Sequence, residues 1–575
     1  MLVLGLLNLR DAAAVLVRNG RLLAAAEEER FVRVKHVTAL PLQAIGYCLQ
    51  EAGVRLSEVD AIAVPWKYWV LGRRAALALG AMLRSPTLCR VKGQRSLERL
   101  GQEWTEQATL ARRLRSAFGP SRSRPAFLDH HLCHAASSFL ASPFERAAVL
   151  VVDGASEAHT TMLGLGEGAQ ITVLQRTPLP HSLGQFYAAI TSFLGFRPDH
   201  DEYIVMGLAA YGEPRFAGVL REQVLRTQPE GDFHLNVRLL DFHLARVGIF
   251  LPALTRLLGG HRLAGDKITQ RHRDIAASAQ VVLEETLLHL ARHLKRLTGA
   301  EHLCLAGGVA FNCVANSRLR REAGYKDIYI QPAAGDAGAA LGSALWLSNR
   351  TGALLQRDVM THAYWGPQFD EAACRRALER AGLMWQAMDE EDLCDRVATE
   401  LSQGRLVFWF QGRMEWGPRA LGNRSLLADP RREDMRELIN AKVKLREPFR
   451  PFAPSVLAER AADFFDLSVP SPFMLFTCPV LPKAKGVIPA VVHVDGTARV
   501  QTVDRDSNPK FRRLIEAFER KTGLPMLLNT SFNVNEPIVC SPEEAVQCFL
   551  KTEVEWLVLG NLLAWRPRGR VTGDA

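Results

Sequence analysis

The sequence predicts an α/β protein with at least two domains. Its 575 residues exceed the length of about 100 to 250 residues at which a single core usually stops growing. Three observations support the prediction: a strand and hairpin pattern that occurs twice, acidic residues placed directly after apolar strand-like runs, and a segment dense in proline and arginine in the second half. Hydrophobic residues make up 48% of the chain and charged residues 23%, which is typical of a globular protein.

The first observation is an internal repeat. Each copy consists of an apolar run, an acidic residue and two further runs joined by a glycine-containing turn. The copies occupy residues 2–25, with Asp11, and residues 149–174, with Asp153. Such a duplicated hairpin is typical of the two-lobed actin-like (ASKHA) ATPase fold, whose lobes flank a nucleotide cleft. Chance similarity of two hairpins is the alternative.

Two histidines and two carboxylates form a candidate metal site. His130 and His134 are four residues apart in HHLCHAASS, so a helix would place both imidazoles on one face. Asp153 and Asp336 each follow an apolar strand-like run, where ligand sites gather in α/β proteins. These residue types hold divalent transition metals. The sequence therefore predicts a metal-dependent enzyme, with ordinary helix-surface or core histidines as the alternative.

Glycines beside these carboxylates predict a nucleotide cleft. Gly307 and Gly308 stand between a short strand and a helix in HLCLAGGVAFN, a stretch that ends at Asn312. Glycines at such a turn allow backbone amides to approach a nucleotide closely. Gly335 makes the equivalent turn before Asp336 and an alanine-rich helix.

The second half carries many groups that could bind anions. In VKLREPFRPFAPSV the prolines forbid a regular helix, so the cations of this segment are predicted on a fixed loop. Arginine offers a planar fork for phosphate and lysine a point charge. The candidates are Lys444, Arg446, Arg450, Arg419, Arg424, Ser425, Arg499, Asn529 and Ser531.

Charge and cysteine usage bear on the partners and the cellular compartment of the protein. The formal net charge is +10, and residues 84–124 contain ten Lys or Arg against three Glu. This stretch predicts a solvated basic face or a surface for a phosphorylated or polyanionic substrate. A nucleic-acid partner is not expected, because no recognisable nucleic-acid module accompanies the charge. The ten cysteines are scattered singly, as expected for reduced thiols in a cytoplasm. The short apolar N-terminus predicts a buried strand, neither a signal peptide nor a membrane span.

Six motifs in this order resemble the NodU/CmcH-type O-carbamoyltransferases, a family that modifies nodulation factors and antibiotics. They are EEERFVRVKH, HHLCHAASS, SLGQFYAAITSFLGF, DEYIVMGLAAYG, AGGVAFN and EWGPRALGNRSLLADPR. The resemblance runs from about Leu2 to Trp565. It implies an actin-like transfer domain at 1–353, a linker at 354–366 and a YrdC-like domain at 367–575.

The resemblance also implies two linked reactions. The YrdC-like domain would make carbamoyl-adenylate from carbamoyl phosphate and ATP, with Mg²⁺, and release pyrophosphate. The actin-like domain would transfer the carbamoyl group to a hydroxyl of a small acceptor, as in antibiotic and other secondary-metabolite biosynthesis. The family's metal ligands correspond to His130, His134, Asp153 and Asp336, and the expected ion is Fe(II) or another divalent transition metal.

Residue roles follow from the same resemblance, with structural ion pairs as the alternative for each. Catalytic roles are expected for Lys444, Arg450, Arg499, Asn529, Ser531 and Asp11. Nucleotide contacts are expected from Gly307, Gly308, Asn312, Gly335 and Arg419.

Two positions depart from the family pattern. Arg10 stands where the family usually has a histidine, and Ile204 where a lysine is common. Arginine cannot exchange a proton usefully near neutral pH, so Arg10 cannot serve as the acid or base that a histidine would supply there, although it could still stabilise phosphate charge. The alternatives are an altered acceptor or altered proton handling, other acyl or amide chemistry from the same intermediate, and a partly degenerate binding subunit. A sugar-kinase-like ATPase and a tRNA-modifying enzyme are the alternatives from other classes. The sequence indicates neither the acceptor nor the oligomeric state.

Overall fold

The chain forms two compact units. The structure, a computed structural model, describes residues 1–84, 87–242, 249–444, 446–447 and 449–566. Residues 85 and 86 of the basic stretch, and 445 and 448 of the proline-rich segment, lie outside the described residues. Unit 1 comprises Met1–Glu28 and His36–Met360, and unit 2 comprises Glu29–Lys35 and the chain from Thr361 onward.

The division between units falls at Met360, inside the segment 354–366. The segment Glu29–Lys35, which contains the short helix α1 (Glu29–Val32), belongs to unit 2, although the predicted first domain of residues 1–353 includes it. The local sequence does not indicate that Glu29–Lys35 belongs to unit 2.

Unit 1 contains a first sheet of five strands in the order β3-β2-β1-β4-β5. Its strands are β1 (Leu2–Leu7), β2 (Ala13–Arg18), β3 (Arg21–Glu27), β4 (Ala61–Val64) and β5 (Pro125–Phe127). β1 and β2 pair antiparallel, as do β2 and β3, whereas β4 runs parallel to β1 and β5 parallel to β4. β1 is buried along its whole length, which agrees with its run of apolar residues.

A second sheet of unit 1 repeats this topology. Its strands are β6 (Arg146–Val152), β7 (His159–Glu167), β8 (Gln170–Pro178), β11 (His302–Ala306) and β12 (Asp327–Tyr329). The intervening strands β9 (Leu225–Gln228) and β10 (Asp232–Leu235) form a separate hairpin. The order is β12-β11-β6-β7-β8, with an antiparallel hairpin on one side of β6 and parallel strands on the other. The predicted duplication is therefore confirmed, and each sheet has the strand pattern expected of one actin-like lobe.

Helices cover these sheets and lie between them. They are α2 (Leu42–Glu51), α3 (Gly72–Arg84), α4 (Thr87–Ala108), α5 (Leu110–Phe118), α6 (His130–Phe139), α7 (Leu183–Phe193), α8 (Glu202–Ala209), α9 (Ala217–Val219), α10 (Pro252–Leu258), α11 (Gln270–Thr298), α12 (Cys313–Glu322) and α13 (Asp336–Arg350). α13 packs on β1, α6 packs on β6 and β11, and the two helices contact each other. Small residues permit this contact: a Cβ at Gly342 would lie 1.7 Å from the carbonyl oxygen of Cys133.

Unit 2 is built on an eight-stranded mixed sheet in the order β13-β22-β21-β14-β15-β20-β16-β19. The strands are β13 (Met384–Ala387), β14 (Val407–Phe410), β15 (Arg424–Ala428), β16 (Ala453–Leu457), the paired β17 (Cys478–Pro479) and β18 (Thr497–Ala498), β19 (Gln501–Val503), β20 (Met526–Ser531), β21 (Trp556–Leu559) and β22 (Leu562–Trp565). The helices are α14 (Glu371–Arg380), α15 (Glu390–Ser402), α16 (Met435–Ile439), α17 (Pro482–Lys485), α18 (Pro509–Thr522) and α19 (Pro542–Leu550). The predicted α/β class therefore holds for both units.

Two further predictions concern the environment of the chain. Within the described ranges, no helix combines the length and the apolar character that crossing a bilayer requires. The described cysteines are buried and none forms a disulfide.

Candidate metal and active site

The two histidines enter the site from the first turns of α6. Asp129 caps this helix, since its carboxylate accepts a hydrogen bond from the backbone N–H of Leu132, and it also pairs with Arg176 at 2.7 Å. The four-residue spacing places His130 and His134 on one face, with their rings edge-on at 4.6 Å between centroids. Their Nε2 atoms lie 3.1 Å apart.

The two carboxylates enter from the ends of elements on the other side. Asp153 directly follows β6, and Asp336 is the first residue of α13. His130 Nε2 lies 3.4 Å from an oxygen of each carboxylate. His134 Nε2 lies 3.9 Å from Asp153 and 3.4 Å from Asp336. The structure thus brings together all four residues that the sequence selects as metal ligands.

These spacings fit a single metal ion. Four ligands at bond lengths of about 2.1 Å around a tetrahedral ion would lie about 3.4 Å from one another, close to the separations found here. Both histidines and Asp153 are buried, whereas the Asp336 side chain is 25% exposed. Two imidazoles and two carboxylates suit iron, zinc or manganese.

The protein backbone orients His130 for this task. The ring of His130 donates from Nδ1 to the carbonyl oxygen of Pro65 at 3.0 Å, which leaves Nε2 directed at the carboxylates. The buried carboxylate of Glu157 accepts hydrogen bonds from the backbone N–H groups of Lys67 and His130. Glu157 therefore ties the segment that carries Pro65 to the start of α6.

Electrostatics of the cluster favour a cation. Burial by itself would lower the pKa of His130, but hydrogen bonds with Asp153 and Asp336 raise that pKa well above its usual value. Burial would raise the pKa of Asp336, but the two histidines hold it well below its ordinary range. The pKa of Asp153 is lowered as well, so both carboxylates remain ionised and present negative charge to a cation.

The predicted nucleotide loop lies against one of the candidate metal ligands, Asp153. Gly307 has φ of +93°, and a Cβ there would lie 2.2 Å from the carbonyl oxygen of Val152. The N–H of Gly308 donates to Asp153 Oδ1 at 3.0 Å. The glycine loop therefore lies directly against the end of β6 and fixes one carboxylate.

The other two predicted nucleotide contacts in unit 1 have structural neighbours of their own. Asn312 Oδ1 accepts from the N–H of Ala315 and so caps α12, and it exchanges side-chain hydrogen bonds with Gln280. Gly335 precedes α13, and a Cβ there would lie 2.7 Å from the ring of Phe311. Their contact with a nucleotide stays a prediction.

In unit 2 the structure brings Lys444 and Ser531 together. The buried ammonium group of Lys444 donates to the carbonyl oxygens of Ser531 and Asn533 at 2.6 and 2.8 Å, and to Asn533 Oδ1 at 2.8 Å. Burial lowers the pKa of Lys444 well below its usual value, and the nearby Arg446 lowers it further. Asn529, on the same strand as Ser531, donates to Ser455 Oγ and Gln501 Oε1.

The predicted cations of unit 2 do not all lie on loops. Lys444 ends a helical turn, Asn440–Lys444, so the prediction of a fixed loop is wrong for this residue, which precedes the prolines of its segment. Arg424 is the first residue of β15 and is fully buried, and its guanidinium donates to the carbonyl oxygens of Gln411 and Pro367. Arg450 is 3.6 Å from Glu447, and Arg419 and Arg499 have buried Nε atoms. Glu415 belongs to the motif EWGPRALGNRSLLADPR and organises the loop that follows it. Its Oε1 accepts hydrogen bonds from the backbone N–H groups of Leu421, Asn423 and Arg424. Those three bonds shape the loop that carries Arg419.

Sequence reasoning missed several residues around the metal ligands. Pro65 contributes through its backbone, and Glu157 follows Asp153 by four residues without any recognisable pattern. Gln185 was quoted inside the motif SLGQFYAAITSFLGF without a role, yet a Cβ at Gly154 would lie 3.1 Å from its Nε2. For Glu157, the only indication in the sequence was its position close after Asp153, one of the candidate ligands.

The fold and the donor set define an α/β protein with a duplicated two-sheet unit and a cluster suited to a transition metal. Two family models match the chain: Carbamoyltransferase N-terminus over residues 3–345, and Carbamoyltransferase C-terminus over residues 398–566. The chain therefore belongs to the carbamoyltransferase family and is a carbamoyltransferase enzyme. This confirms the family that the six motifs indicate.

Curated relatives match over nearly the full chain. An uncharacterized protein of Synechocystis sp. is 40% identical over 96% of this chain and 94% of its own length. Nodulation protein NolNO of Sinorhizobium fredii is 42% identical over 96% of this chain and 79% of its own length. Nodulation protein U of the same organism is 30% identical, with 93% and 94% covered.

Solved structures are more remote. The Acidaminococcus fermentans (R)-2-hydroxyglutaryl-CoA dehydratase component A matches with a TM-score of 0.32 at 15% identity, covering 61% of this chain and 99% of that chain.

Proposed function

We propose that this enzyme is an ATP-dependent O-carbamoyltransferase that works through carbamoyl-adenylate. Unit 2, with a YrdC-like role, would hydrolyse carbamoyl phosphate to carbamate and inorganic phosphate. It would then join the carbamate to the AMP moiety of ATP and release pyrophosphate, with Mg²⁺ on the triphosphate. Unit 1 would transfer the carbamoyl group to a hydroxyl of a small-molecule acceptor. The observation that carries the proposal is the cluster of His130, His134, Asp153 and Asp336 in a chain that matches both carbamoyltransferase family models.

The cluster suits the transfer half of this reaction. A divalent ion held there, Fe(II) or a similar metal, would supply Lewis acidity toward the carbamoyl or phosphate oxygens. Pro65 and Glu157 orient His130, and the N–H of Gly308 orients Asp153. Asp336 is the ligand that solvent reaches, so a substrate would approach the ion from its side.

Unit 2 suits the activation half. Arg450, Arg499 and Arg419 supply positive charge for phosphate groups, and Asn529 and Ser531 supply neutral polar groups. The Lys444 ammonium group fixes the backbone between Ser531 and Asn533, which keeps this loop in one conformation. Carbamoyl-adenylate is labile in water, so one chain that both makes and uses it would limit its loss.

The test is pyrophosphate release from ATP and carbamoyl phosphate by the Fe(II)-loaded protein. We expect release that requires carbamoyl phosphate and that Lys444→Ala abolishes. Lys442→Ala is the matched control, because Lys442 lies in the same helical turn but pairs with Glu555 at 2.8 Å. Arg450→Ala, at a part-exposed side chain, provides a second variant if Lys444→Ala does not fold.

Two results would overturn the proposal. If the wild-type protein releases no pyrophosphate, the chain lacks the activation step and serves as a binding subunit or uses another activated donor. If tRNA binds with an affinity that falls steeply with salt, a nucleic-acid acceptor replaces the small molecule.

A further inference from the structure

Unit 1 contains a second group of titratable side chains, separate from the metal ligands. His36 Nδ1 lies 2.7 Å from Asp11 Oδ1, and His200 Nδ1 lies 2.7 Å from Asp201 Oδ1. The two imidazole rings face each other edge-on, with 4.5 Å between their centroids. Two carboxylate–imidazole pairs are therefore in direct contact, and this is the arrangement by which proteins orient a histidine for proton transfer.

The backbone at this group is held in an unfavourable conformation. Asp11, His36 and Asp199 have φ of 55°, 53° and 60°, in the left-handed region that residues with a Cβ rarely adopt. Seven non-glycine residues have positive φ in the part of the chain that the structure describes, and three of them meet here. Strained backbone of this kind is maintained by the surrounding fold and concentrates at functional sites.

Contacts within unit 1 connect this group to the metal ligands. Asp11 follows β1 as Asp153 follows β6, so the two occupy equivalent places in the duplicated sheets. Asp199 accepts a hydrogen bond from Gln185 Nε2 at 3.2 Å, and Gln185 also lies against Gly154, the neighbour of Asp153. One side chain thus spans from the metal site to the residue beside His200.

Hydrogen bonding assigns the proton on His200. Burial would raise the pKa of Asp201, but hydrogen bonds with His200 and Arg197 lower it well below its ordinary value. Arg197 Nη2 lies 3.1 Å from His200 Nδ1, but the shorter contact of that nitrogen, 2.7 Å, is with Asp201 Oδ1. An ionised carboxylate can only accept hydrogen bonds, so Nδ1 of His200 carries the proton that it donates to Asp201. In the neutral ring Nε2 is then the basic nitrogen.

The cation in this group has a different role. Arg10 pairs with Asp199 at 3.1 Å, and a guanidinium does not give up its proton in proteins. Arg10 can therefore balance charge but cannot exchange a proton, which leaves that task to the histidines beside it.

We propose that His200, oriented by Asp201 and faced by the His36–Asp11 pair, is the general base that accepts the proton of the acceptor hydroxyl. This inference rests on the proposed function. In the transfer step the acceptor oxygen forms a bond to the carbamoyl carbon. The bond between that carbon and the phosphate oxygen of the adenylate breaks, AMP leaves with its electron pair, and the hydroxyl proton passes to His200 Nε2.

The experiment separates activation from transfer in His200→Asn. Enzyme is mixed with ATP and carbamoyl phosphate in the presence of glycerol as the hydroxyl probe, with solvent water as the second acceptor, and pyrophosphate and AMP are measured with time. We expect the variant to keep an initial burst of about one pyrophosphate per chain, while AMP formation falls by about 10²- to 10⁴-fold, the usual contribution of a general base. The control is His234→Asn, at an exposed histidine of the same unit.

A second variant guards against a structural effect. Added imidazole should restore AMP formation in His200→Gly, which a loss of packing alone would not allow. AMP formation at the wild-type rate in His200→Asn would overturn the inference, as would loss of the pyrophosphate burst in that variant or failure of imidazole rescue. Absence of the burst in the wild-type protein would instead remove the proposed function, and the inference with it.

Discussion

Gly307 offers a quantitative test of how the glycine loop supports the metal ligands. An alanine at this position would place its Cβ 2.2 Å from the carbonyl oxygen of Val152, about 1 Å closer than a relaxed contact allows. The backbone φ of +93° is also a conformation that alanine adopts only with strain. Both the loop and the end of β6 must therefore move in Gly307→Ala.

The expected cost follows from these two effects. Left-handed backbone costs a residue with a Cβ about 1–2 kcal/mol, and forcing an extra methyl group into a packed site costs about 1–3 kcal/mol. The sum predicts a loss of about 2–5 kcal/mol in the local stability of unit 1. Because Gly308 donates to Asp153, the same shift should weaken metal binding by about 10- to 100-fold, as loss of a bond that orients a ligand usually does.

Gly299→Ala is the matched control. Gly299 also has positive φ, +60°, but a Cβ there would meet no atom within 4 Å. It should therefore show the strain of about 1–2 kcal/mol alone and leave metal affinity unchanged. Native-state hydrogen exchange of amides in β6 and β11 measures the stability difference, and competition with a chromophoric chelator measures metal affinity. Equal exchange effects and equal metal affinities in the two variants would refute the reasoning.

Two further predictions concern single carboxylates. Asp336→Asn should reduce Co²⁺ binding from about one ion per chain to less than about 0.1 at a concentration that saturates the wild-type protein, because it removes one of two anionic ligands. Asp358→Asn, at an exposed carboxylate, is the control. Saturation of the Asp336 variant with Co²⁺ would exclude this site. Burial raises the pKa of Glu202 from 4.5 to about 7 in the folded protein, so between these pH values the folded state binds more protons than the unfolded state and the free energy of unfolding falls as pH rises. Glu202→Gln should therefore be more stable than the wild-type protein by up to about 3 kcal/mol at pH above 7 and no more stable near pH 4. Unfolding of both proteins across this pH range measures the difference. A stability difference independent of pH would contradict the raised pKa of Glu202.

The grouping of the four candidate metal ligands was predictable because the place of each follows from a short local rule. A spacing of four residues puts His130 and His134 on one helix face whatever the rest of the fold does. Asp153 follows β6, and Asp336 follows β12 after a short turn. Both strands run parallel to β11, which lies between them, so their carboxyl ends lie at one edge of the sheet. The internal repeat was equally local, since each copy is a hairpin within 25 residues or so.

The groups that orient these candidate ligands could not be predicted from the sequence. Pro65 acts through a carbonyl group, which every residue has, and it reaches His130 across 65 positions of the chain. Gln185 and Asp199 were contained in or near quoted motifs, but no spacing rule connects them with Gly154 or Arg10. Long-range side-chain contacts depend on how elements pack, which periodicity does not encode.

By itself, then, the sequence determined the α/β class, the duplicated hairpins and the four metal-ligand candidates, because hydrophobic periodicity and residue spacing act over a few turns. Only the tertiary structure decided that Glu29–Lys35 belongs to unit 2, that the ammonium group of Lys444 holds the loop from Ser531 to Asn533, and that His36 and His200 face each other. Each of these depends on chain segments that lie far apart in sequence. Packing of the whole unit selects their contacts, so no local propensity could have predicted them.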